Sequence, residues 1–233
     1  MNKELFIESL KELNIYPTEL QLRRLEEYYK ILIEENNKYN LTNITDKEQV
    51  YLKHFYDSLT IAKIIELNNQ KLCDIGTGAG FPGLVLKIMF PELEVDLVEA
   101  TNKRCNFLKL VIDKLGLKKV NVINERAEIY SKEVREYYDI VTSRAVAPLK
   151  HLLEYSIPLV KVNGYYIAMK GNIEKETENI ENYLKKLNIC LKEEKKFQLP
   201  IEHSNRSLLI YIKEKETSLK YPRRYNDIKK KDI

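Results

Sequence analysis

The segment CDIGTGAGFPG, residues 73–83, constrains the fold of this chain more than any other feature. It holds four of the seven glycines, directly after the apolar run KLCDI and before a predicted helix. Glycines at such a bend let the backbone approach a ligand more closely than a Cβ atom would allow. In α/β proteins, ligands bind just outside the carboxyl ends of the strands. The segment therefore predicts an α/β fold with a ligand at this loop.

Short apolar strands alternate with helical stretches along the middle of the chain. The predicted strands are KLCDI, EVDLVE, VNVIN, YDIVTS and GYYIAMK. This alternation is typical of a mostly parallel sheet that is covered by helices on both faces. The segments ICLKEEKKFQLP and RSLLIYIKEK follow one another without a helix. They predict an antiparallel hairpin at one edge of the sheet.

The beginning of the chain is helical by pattern. The segment LFIESLKEL carries apolar residues at helical spacing, and Thr18 and Gln21 have the spacing of a capping box that begins a long helix through about Asn36. A further helix is predicted near Asp46. We therefore expect three parts: a helical arm over residues 1–66 packed on the core, the core over residues 67–215, and a basic C-terminal tail over residues 216–233.

Positive charge is concentrated in two segments of a chain whose formal net charge is +4. Residues 101–120 hold six Lys and Arg against one Asp, and residues 219–233 hold six against two Asp. Such a distribution is typical of a surface that binds phosphate groups, although charge runs are often only solvated faces. Both interpretations remain open on charge alone.

Several classes of protein are disfavoured by composition. The sequence has no apolar run of the roughly 18 to 20 residues that span a bilayer and no N-terminal signal segment, so we expect a cytoplasmic protein without a membrane partner. Cys73, Cys105 and Cys190 are far apart and form no CxxC pair. We therefore expect neither a disulfide framework nor a metal site.

Three ligand classes compete for the glycine loop. A nucleotide triphosphate loop needs lysine and a hydroxyl residue where Leu84 and Val85 stand, so that class is excluded. A dinucleotide fold needs a third glycine where Phe81 stands, which weakens the case for NAD. An acid two residues before GxGxG at the end of the first strand, with a second acid ending the next strand, is typical of an S-adenosylmethionine site.

This third pattern is present. Asp74 precedes Gly76, Gly78 and Gly80, and Glu99 ends the second strand, where its carboxylate can accept both hydroxyls of a ribose. We therefore predict that these five residues bind S-adenosylmethionine. NAD and a purely structural glycine turn remain alternatives.

Matching segments extend over most of the chain. They are KYNLTNIT, LKHFYDSL, CDIGTGAGFPG, KRCNFLK, NERAEIY, SRAVAPL, AMKG and YPRR. In this order and spacing the sequence resembles the bacterial 16S ribosomal RNA guanine-N7 methyltransferase family, also called glucose-inhibited division protein B or methyltransferase G. The resemblance implies a Rossmann-like class I S-adenosylmethionine-dependent fold and methyl transfer to N7 of one guanosine in 16S RNA, either naked or in the small ribosomal subunit. We expect a monomer.

The resemblance also implies roles for individual residues. Gly76 and Phe81 would contact the cofactor, Ala127 and Glu128 would lie over its adenine, and Arg144 would lie near its methionine end or near the substrate. Two segments depart from the family pattern. Residues 99–100 are Glu-Ala where relatives usually have Asp-Ser, and the tail YPRRYNDIKKKDI lacks the usual glycine and prolines.

The predicted chemistry needs no general base, because N7 of guanine carries a free lone pair and no proton. The fourth strand accordingly ends in TSRA, not in a motif that holds an exocyclic amine. We expect Arg144 to align the base, a phosphate or the cofactor carboxylate, the alternative being a surface ion pair. His54, Asp57 and Ser58 share one helix face and are expected to pack against or support the cofactor loop.

Candidate phosphate contacts are the basic residues near the predicted site. They are Lys103, Arg104, Lys109, Lys114, Lys170, Arg223, Arg224 and Lys229–Lys231. We expect the tail to fold over RNA, so that deleting residues 219–233 lowers RNA affinity and leaves cofactor binding intact. A methyltransferase for another RNA, a protein or a small molecule, and a non-enzymatic RNA-binding module, remain alternatives.

Overall fold

The computed structural model describes residues 1–144, 146–173 and 176–233, so Ala145 of the segment SRAVAPL lies outside the described residues. The strands are β1 (Lys71–Ile75), β2 (Glu94–Val98), β3 (Val120–Ile123), β4 (Tyr138–Arg144), β5 (Val160–Lys170), β6 (Ile189–Gln198) and β7 (Asn205–Lys213). The α-helices are α1 (Lys3–Lys11), α2 (Glu19–Tyr39), α3 (Lys47–Val50), α4 (Asp57–Leu59), α5 (Gly83–Met89), α6 (Asn102–Leu115), α7 (Ala127–Glu133), α8 (Leu149–Ser156), α9 (Glu181–Leu187) and α10 (Tyr225–Lys230).

The seven strands form one sheet in the order β3-β2-β1-β4-β5-β7-β6. Strands β1 to β5 are mutually parallel, whereas β7 pairs antiparallel with both β5 and β6. The predicted α/β fold with an antiparallel edge is therefore confirmed. Because β1 is central and β2 and β4 flank it, the carboxyl ends of these three strands meet at one edge of the sheet.

The predicted N-terminal helices are confirmed with one irregularity. Thr18 and Gln21 make the reciprocal capping box, and α2 ends three residues beyond the predicted end. Asp46 caps α3 by accepting a hydrogen bond from the Gln49 amide at 3.0 Å. The chain then widens into a π-helix (Tyr51–Tyr56), continues as α4 and ends in a 3-10 turn (Thr60–Lys63). A π-helical turn shifts side-chain directions relative to an α-helix and is frequent at functional sites.

Apolar side chains form a core on each face of the sheet. One core joins α1, α2, α5 and α6 and includes Phe6, Phe55 and Phe107. The other joins α7 to α10 and includes Tyr166 and Ile228. Burial of these side chains is the main favourable contribution to folding. Within the described ranges, no helix combines the length and apolarity that crossing a membrane requires.

Candidate cofactor site

The loop after β1 turns on three glycines with positive φ. Gly76, Gly78 and Gly80 have φ of 65°, 61° and 95°, a region that other residues rarely adopt. A Cβ atom at Gly80 would lie 2.5 Å from Tyr28 Oη, whereas one at Gly78 would have its nearest neighbour 4.0 Å away. The loop is therefore packed tightly behind Gly80 and open at Gly78.

Asp74 holds this loop from inside the protein. Its Oδ2 accepts hydrogen bonds from Thr77 Oγ1 at 2.6 Å and from the Gly83 amide at 2.8 Å. Its Oδ1 is buried and has no hydrogen-bond partner among the described residues. Burial raises the pKa of Asp74 to about 6, against the opposing effect of these two hydrogen bonds. One carboxylate oxygen therefore fixes the loop, and the other remains an acceptor.

Glu99 closes the other side of the loop. Its Oε1 accepts a hydrogen bond from the Thr101 amide at 2.8 Å, and its Oε2 accepts one from the Gly78 amide at 3.1 Å. Arg104 Nη1 lies 3.6 Å from Oε2. These contacts fix the carboxylate beside the glycine loop. A carboxylate has about four acceptor positions, so ribose hydroxyls can still donate to it.

A cleft of about 590 Å³ opens between this loop and the ends of β3 and β4. Several predicted cofactor residues line it together: Gly76, Glu99, Ala127, Glu128 and Arg144. Much of the remaining wall is formed by cationic and aromatic residues: Arg104, Arg126, His151, Tyr155, Tyr225 and Lys229. Asp74, at the end of β1, and Gly78 and Gly80, in the loop, are not among the lining residues.

Phe81 is packed behind the loop. Its ring stacks on His54 with 4.3 Å between centroids and on Tyr28 with 5.5 Å. The Tyr28 hydroxyl also donates a hydrogen bond to the Ala79 carbonyl. Phe81 and Tyr28 therefore support the loop from the α2 side. Sequence reasoning missed Tyr28, because nothing in the pattern of α2 marks it apart from other core residues.

Arg144, at the end of β4, is held at three positions. Its Nη1 donates to the Lys53 carbonyl at 2.9 Å and lies 3.3 Å from Asp57 Oδ2, while its Nη2 lies 3.2 Å from His54 Nδ1. The side chain is only 14% exposed. The ion pair considered for this residue therefore exists but is largely buried.

His54 is a neutral acceptor for Arg144. A guanidinium only donates, so Nδ1 must accept, and the proton on Nε2 is donated to Thr42 Oγ1 at 2.9 Å. Burial and the neighbouring Arg144 charge lower the pKa of His54 to about 3. The stacking on Phe81 confirms the expected packing of His54 against the glycine loop, whereas its polar contacts are with Arg144 and Thr42.

A second cavity, of about 280 Å³, lies on the other side of Arg144. It combines cationic residues with apolar walls from Ile44, Met169, Phe197 and Leu208. Arg206 also lines it, and its Nε donates to Asp57 Oδ1 at 2.9 Å. Sequence reasoning missed Arg206, since its place depends on the pairing of β7 with β5, in which Ser207 lies opposite Lys170.

The candidate phosphate contacts divide into exposed and internally bound residues. Lys103, Lys109, Lys114, Arg224 and Lys229–Lys231 are exposed. In contrast, Lys170 Nζ donates to Glu176 Oε2 and to the Ala147 carbonyl, both at 2.6 Å. Arg223 pairs with the fully buried Glu154. Lys170 and Arg223 are therefore engaged by the protein itself.

Three observations show that the cradle, formed by Asp74, Glu99 and the glycine loop, fits S-adenosylmethionine. The buried, unpartnered Asp74 Oδ1 can accept from an ammonium group, fixed Glu99 can accept from ribose hydroxyls, and the loop is open at Gly78. Across residues 1–144, 146–173 and 176–233, no group of three His, Cys, Asp or Glu residues is arranged to hold a metal ion.

The sequence also matches known proteins over most of its length. The family model for rRNA small subunit methyltransferase G matches residues 21–209. The chain is 48% identical to ribosomal RNA small subunit methyltransferase G of a Bacillus cereus strain, over 96% of this chain and 95% of the relative. It is 43% identical to the protein of the same name from Lysinibacillus sphaericus, over 96% of each chain.

Solved structures support the fold. The structure of a SAM-dependent methyltransferase from Aquifex aeolicus superposes with a TM-score of 0.55 at 15% identity. The superposition covers 74% of this chain and 97% of that one. At this identity the likeness concerns the fold alone.

Proposed function

The chain belongs to the rRNA small subunit methyltransferase G family, and on that premise we propose that it transfers a methyl group from S-adenosylmethionine to N7 of a guanosine in 16S ribosomal RNA. The observation that carries this proposal is the position of Arg144. Its side chain borders both the cofactor cleft and the second cavity. A methyl donor in the cofactor cleft and a methyl-accepting base in the second cavity would therefore both lie beside the Arg144 guanidinium.

The second cavity suits a flat, electron-rich base. Phe197 and Met169 offer apolar surface to the ring faces, and Arg144 and Arg206 offer donors to a guanine O6 edge. Asp57 holds both guanidinium groups in place through its two oxygens. This arrangement favours guanine over a pyrimidine, because only guanine presents O6 and N7 as adjacent acceptors.

The reaction needs alignment more than proton transfer. S-adenosylmethionine supplies an electrophilic methyl group on a sulfonium. N7 of guanine needs no deprotonation, and His54, whose pKa is about 3, is neutral and engaged by Arg144 and Thr42. The residues around Arg144 would therefore contribute by orientation, an effect that can supply up to about 7 to 11 kcal/mol.

RNA would be held by exposed cations beside the cleft. Lys103 lies at the start of α6, next to Arg104 at the cleft wall, and Arg224 and Lys229 lie at the start and end of α10. Such residues position a phosphate backbone without reading its sequence. The proposed substrate is 16S RNA or the small subunit, and the proposed enzyme is a monomer that acts in the cytoplasm, where ribosomes are assembled.

Labelled methyl transfer tests this function. Purified protein and S-adenosylmethionine with a tritiated methyl group are incubated with unmodified small subunits, with naked 16S RNA, and with protein or small-molecule extracts. Label should enter 16S RNA, and primer extension after cleavage at N7-methylguanosine should locate one position. Arg144→Ala should lower kcat at least about 100-fold, because loss of alignment at the reacting atoms costs about that factor. Label in protein or small molecules alone would favour the alternative substrates.

A further inference from the structure

The C-terminal helix α10 is fixed on both sides by anchors to the rest of the protein. Before it, Arg223 binds the buried Glu154 through Nε at 2.9 Å and through Nη2 at 2.8 Å. After it, Asp232 accepts a hydrogen bond from Lys150 at 2.6 Å. Ile228, in the middle of the helix, is 2% exposed and belongs to the core beside α8. The helix position is therefore set by the protein alone.

The face of α10 next to Ile228 lines the cofactor cleft. Tyr225 and Lys229 are one helical turn apart and both contribute to its wall. The guanidinium carbon of Arg126 lies 4.1 Å from the centre of the Tyr225 ring, and Lys229 Nζ lies 4.9 Å from it. Hydrogen bonds from Lys229 and Arg126 also lower the pKa of the Tyr225 hydroxyl. Contacts with these two cations thus hold the ring in place.

This ring lies at the end of the cleft formed by the residues after β3. Arg126 directly precedes Ala127, and its Nε donates to Glu128 Oε1 at 2.5 Å. Tyr225, Arg126 and Glu128 therefore form one connected wall. Glu99, which suits the ribose hydroxyls, lines the same cleft, whereas Arg144 marks the end where the methyl group would be transferred. A flat aromatic ring stacked on a guanidinium is a good surface for a purine.

We propose that Tyr225 is a cofactor-binding residue, contributed by the C-terminal segment, that packs against the adenosine half of S-adenosylmethionine. This inference rests on the proposed function, since it takes the cleft to be the cofactor site. It differs from the expectation that residues 219–233 can be removed without loss of cofactor binding. Because both anchors hold α10 in position beforehand, the segment gives affinity without an ordering cost at the moment of binding.

Calorimetry with two ligands tests the proposal. Wild type, Tyr225→Ala, Tyr225→Leu and Asn226→Ala are titrated with S-adenosylmethionine and with 5′-methylthioadenosine, which lacks the amino-acid end. Loss of the ring should weaken both ligands by the same factor, about 10-fold, as expected for one lost stacking contact. Asn226 is exposed on the same helix, so Asn226→Ala should bind like wild type. Tyr225→Leu also removes the ring but keeps apolar bulk, so it replaces Tyr225→Ala in the test if the alanine variant folds poorly.

Three results would overturn the inference. One is binding of both ligands within twofold of wild type by Tyr225→Leu with an unchanged melting temperature. Another is a loss for S-adenosylmethionine that 5′-methylthioadenosine does not share. The third is a rise in the KM for RNA with an unchanged cofactor Kd, which would make the segment an RNA contact. If wild type itself failed to bind S-adenosylmethionine, the proposed function would fail as well.

Discussion

Two carboxylates near the glycine loop bind its backbone and still have oxygen lone pairs that a ligand can use. Asp74 uses Oδ2 for the loop and leaves Oδ1 without a partner among the described residues. Glu99 fixes the Gly78 amide and the Thr101 amide while it faces the cleft. Groups whose geometry is fixed before binding lose little freedom when a ligand arrives. The cradle is therefore preorganised at the level of individual atoms.

Gly78→Ala should separate backbone strain from ligand approach. Gly78 and Gly116 both have φ of 61°, and Gly116 lies at the end of α6 with no described atom within 4 Å of an added Cβ. Each substitution should cost about 1 kcal/mol of unfolding free energy, because alanine is strained at positive φ. Only Gly78→Ala should raise the Kd for S-adenosylmethionine, since its methyl group would occupy space at the open part of the loop.

Urea denaturation and calorimetry measure these two quantities on both variants. Gly116→Ala is the matched control for strain alone. Equal cofactor affinities for the two alanine variants would contradict close approach of the ligand at Gly78.

His54 should make the protein less stable in mild acid. Its pKa is about 3 in the folded protein, against an ordinary 6.5 in the unfolded chain. As the pH falls from 7 to 5, the unfolded state takes up a proton that the folded state does not, so the free energy of unfolding decreases by about 2 kcal/mol from this group. His54→Gln removes this contribution and should therefore lose about 2 kcal/mol less than wild type over that range.

Chemical denaturation at several pH values measures the difference. His203→Gln is the control, because His203 is exposed. A parallel pH dependence of wild type and His54→Gln would show that His54 titrates in the folded protein. Asp74 contributes with the opposite sign, since its folded pKa is raised to about 6, but it does so in both proteins and cancels.

Local chemistry decided which site residues could be predicted. Asp74 and Glu99 are required at the ends of two strands, and the glycines are required where the loop has positive φ. These requirements are local, so the sequence shows them at fixed spacing. The roles of Tyr28 and Arg206 depend on how distant elements pack. Tyr28 reaches Ala79 from another helix, and Arg206 reaches Asp57 across 149 residues of sequence. No local pattern specifies such contacts.

At the scale of elements, hydrophobic period and turn chemistry predicted the strands and most helices. All seven strands were placed, although β5 begins four residues before the predicted segment. The π-helical turn within the helix that begins at Lys47 could not be predicted, because its apolar positions also fit an α-helix. That turn matters for the site, since it carries His54 beside Arg144. The packing of α10 on the cleft was likewise beyond the sequence pattern.

Removing the ion pair between Arg223 and Glu154, which anchors the C-terminal segment, should destabilise the protein. Arg223→Ala would leave the fully buried Glu154 carboxylate without its partner, which typically costs about 3 to 5 kcal/mol. Arg224→Ala, one residue further on and exposed, should change the free energy of unfolding by less than about 0.5 kcal/mol. RNA affinity should fall in Arg224→Ala at unchanged stability.

Urea denaturation and RNA filter binding distinguish the two arginines. A double variant, Glu154→Met with Arg223→Met, should recover most of the lost stability, because a buried ion pair can be replaced by packed apolar groups. If Arg223→Ala were as stable as Arg224→Ala, the ion pair with Glu154 would not be an anchor.

At the scale of the whole molecule, the helices on the two faces of the sheet contribute different parts of the site. The face with α2 and α6 supports the glycine loop through Tyr28 and presents the exposed lysines of α6. The face with α8 to α10 anchors the C-terminal segment beside the same cleft. The carboxyl edge of the sheet lies between them, so cofactor, acceptor base and RNA phosphates could all bind at this one edge.

RNA binding should therefore depend on salt through the charge of α6. Lys103 lies at the cleft end of this helix and Lys114 roughly 16 Å further along it, a span that can follow several phosphates. Replacing Lys103, Lys109 and Lys114 by alanine should reduce the slope of log affinity against log salt by about 2, because each phosphate contact releases most of one counterion. Cofactor affinity should not change.

The control is Lys185→Ala with Lys186→Ala, which removes exposed charge from α9 on the opposite face. RNA affinity is measured by filter binding at several salt concentrations with unmodified 16S RNA. Equal slopes for the α6 variant and the α9 variant would mean that the basic charge of α6 is only a solvated face. A reduced slope for α6 alone would place the phosphate backbone along that helix, leading away from the base that we propose to lie at Arg144.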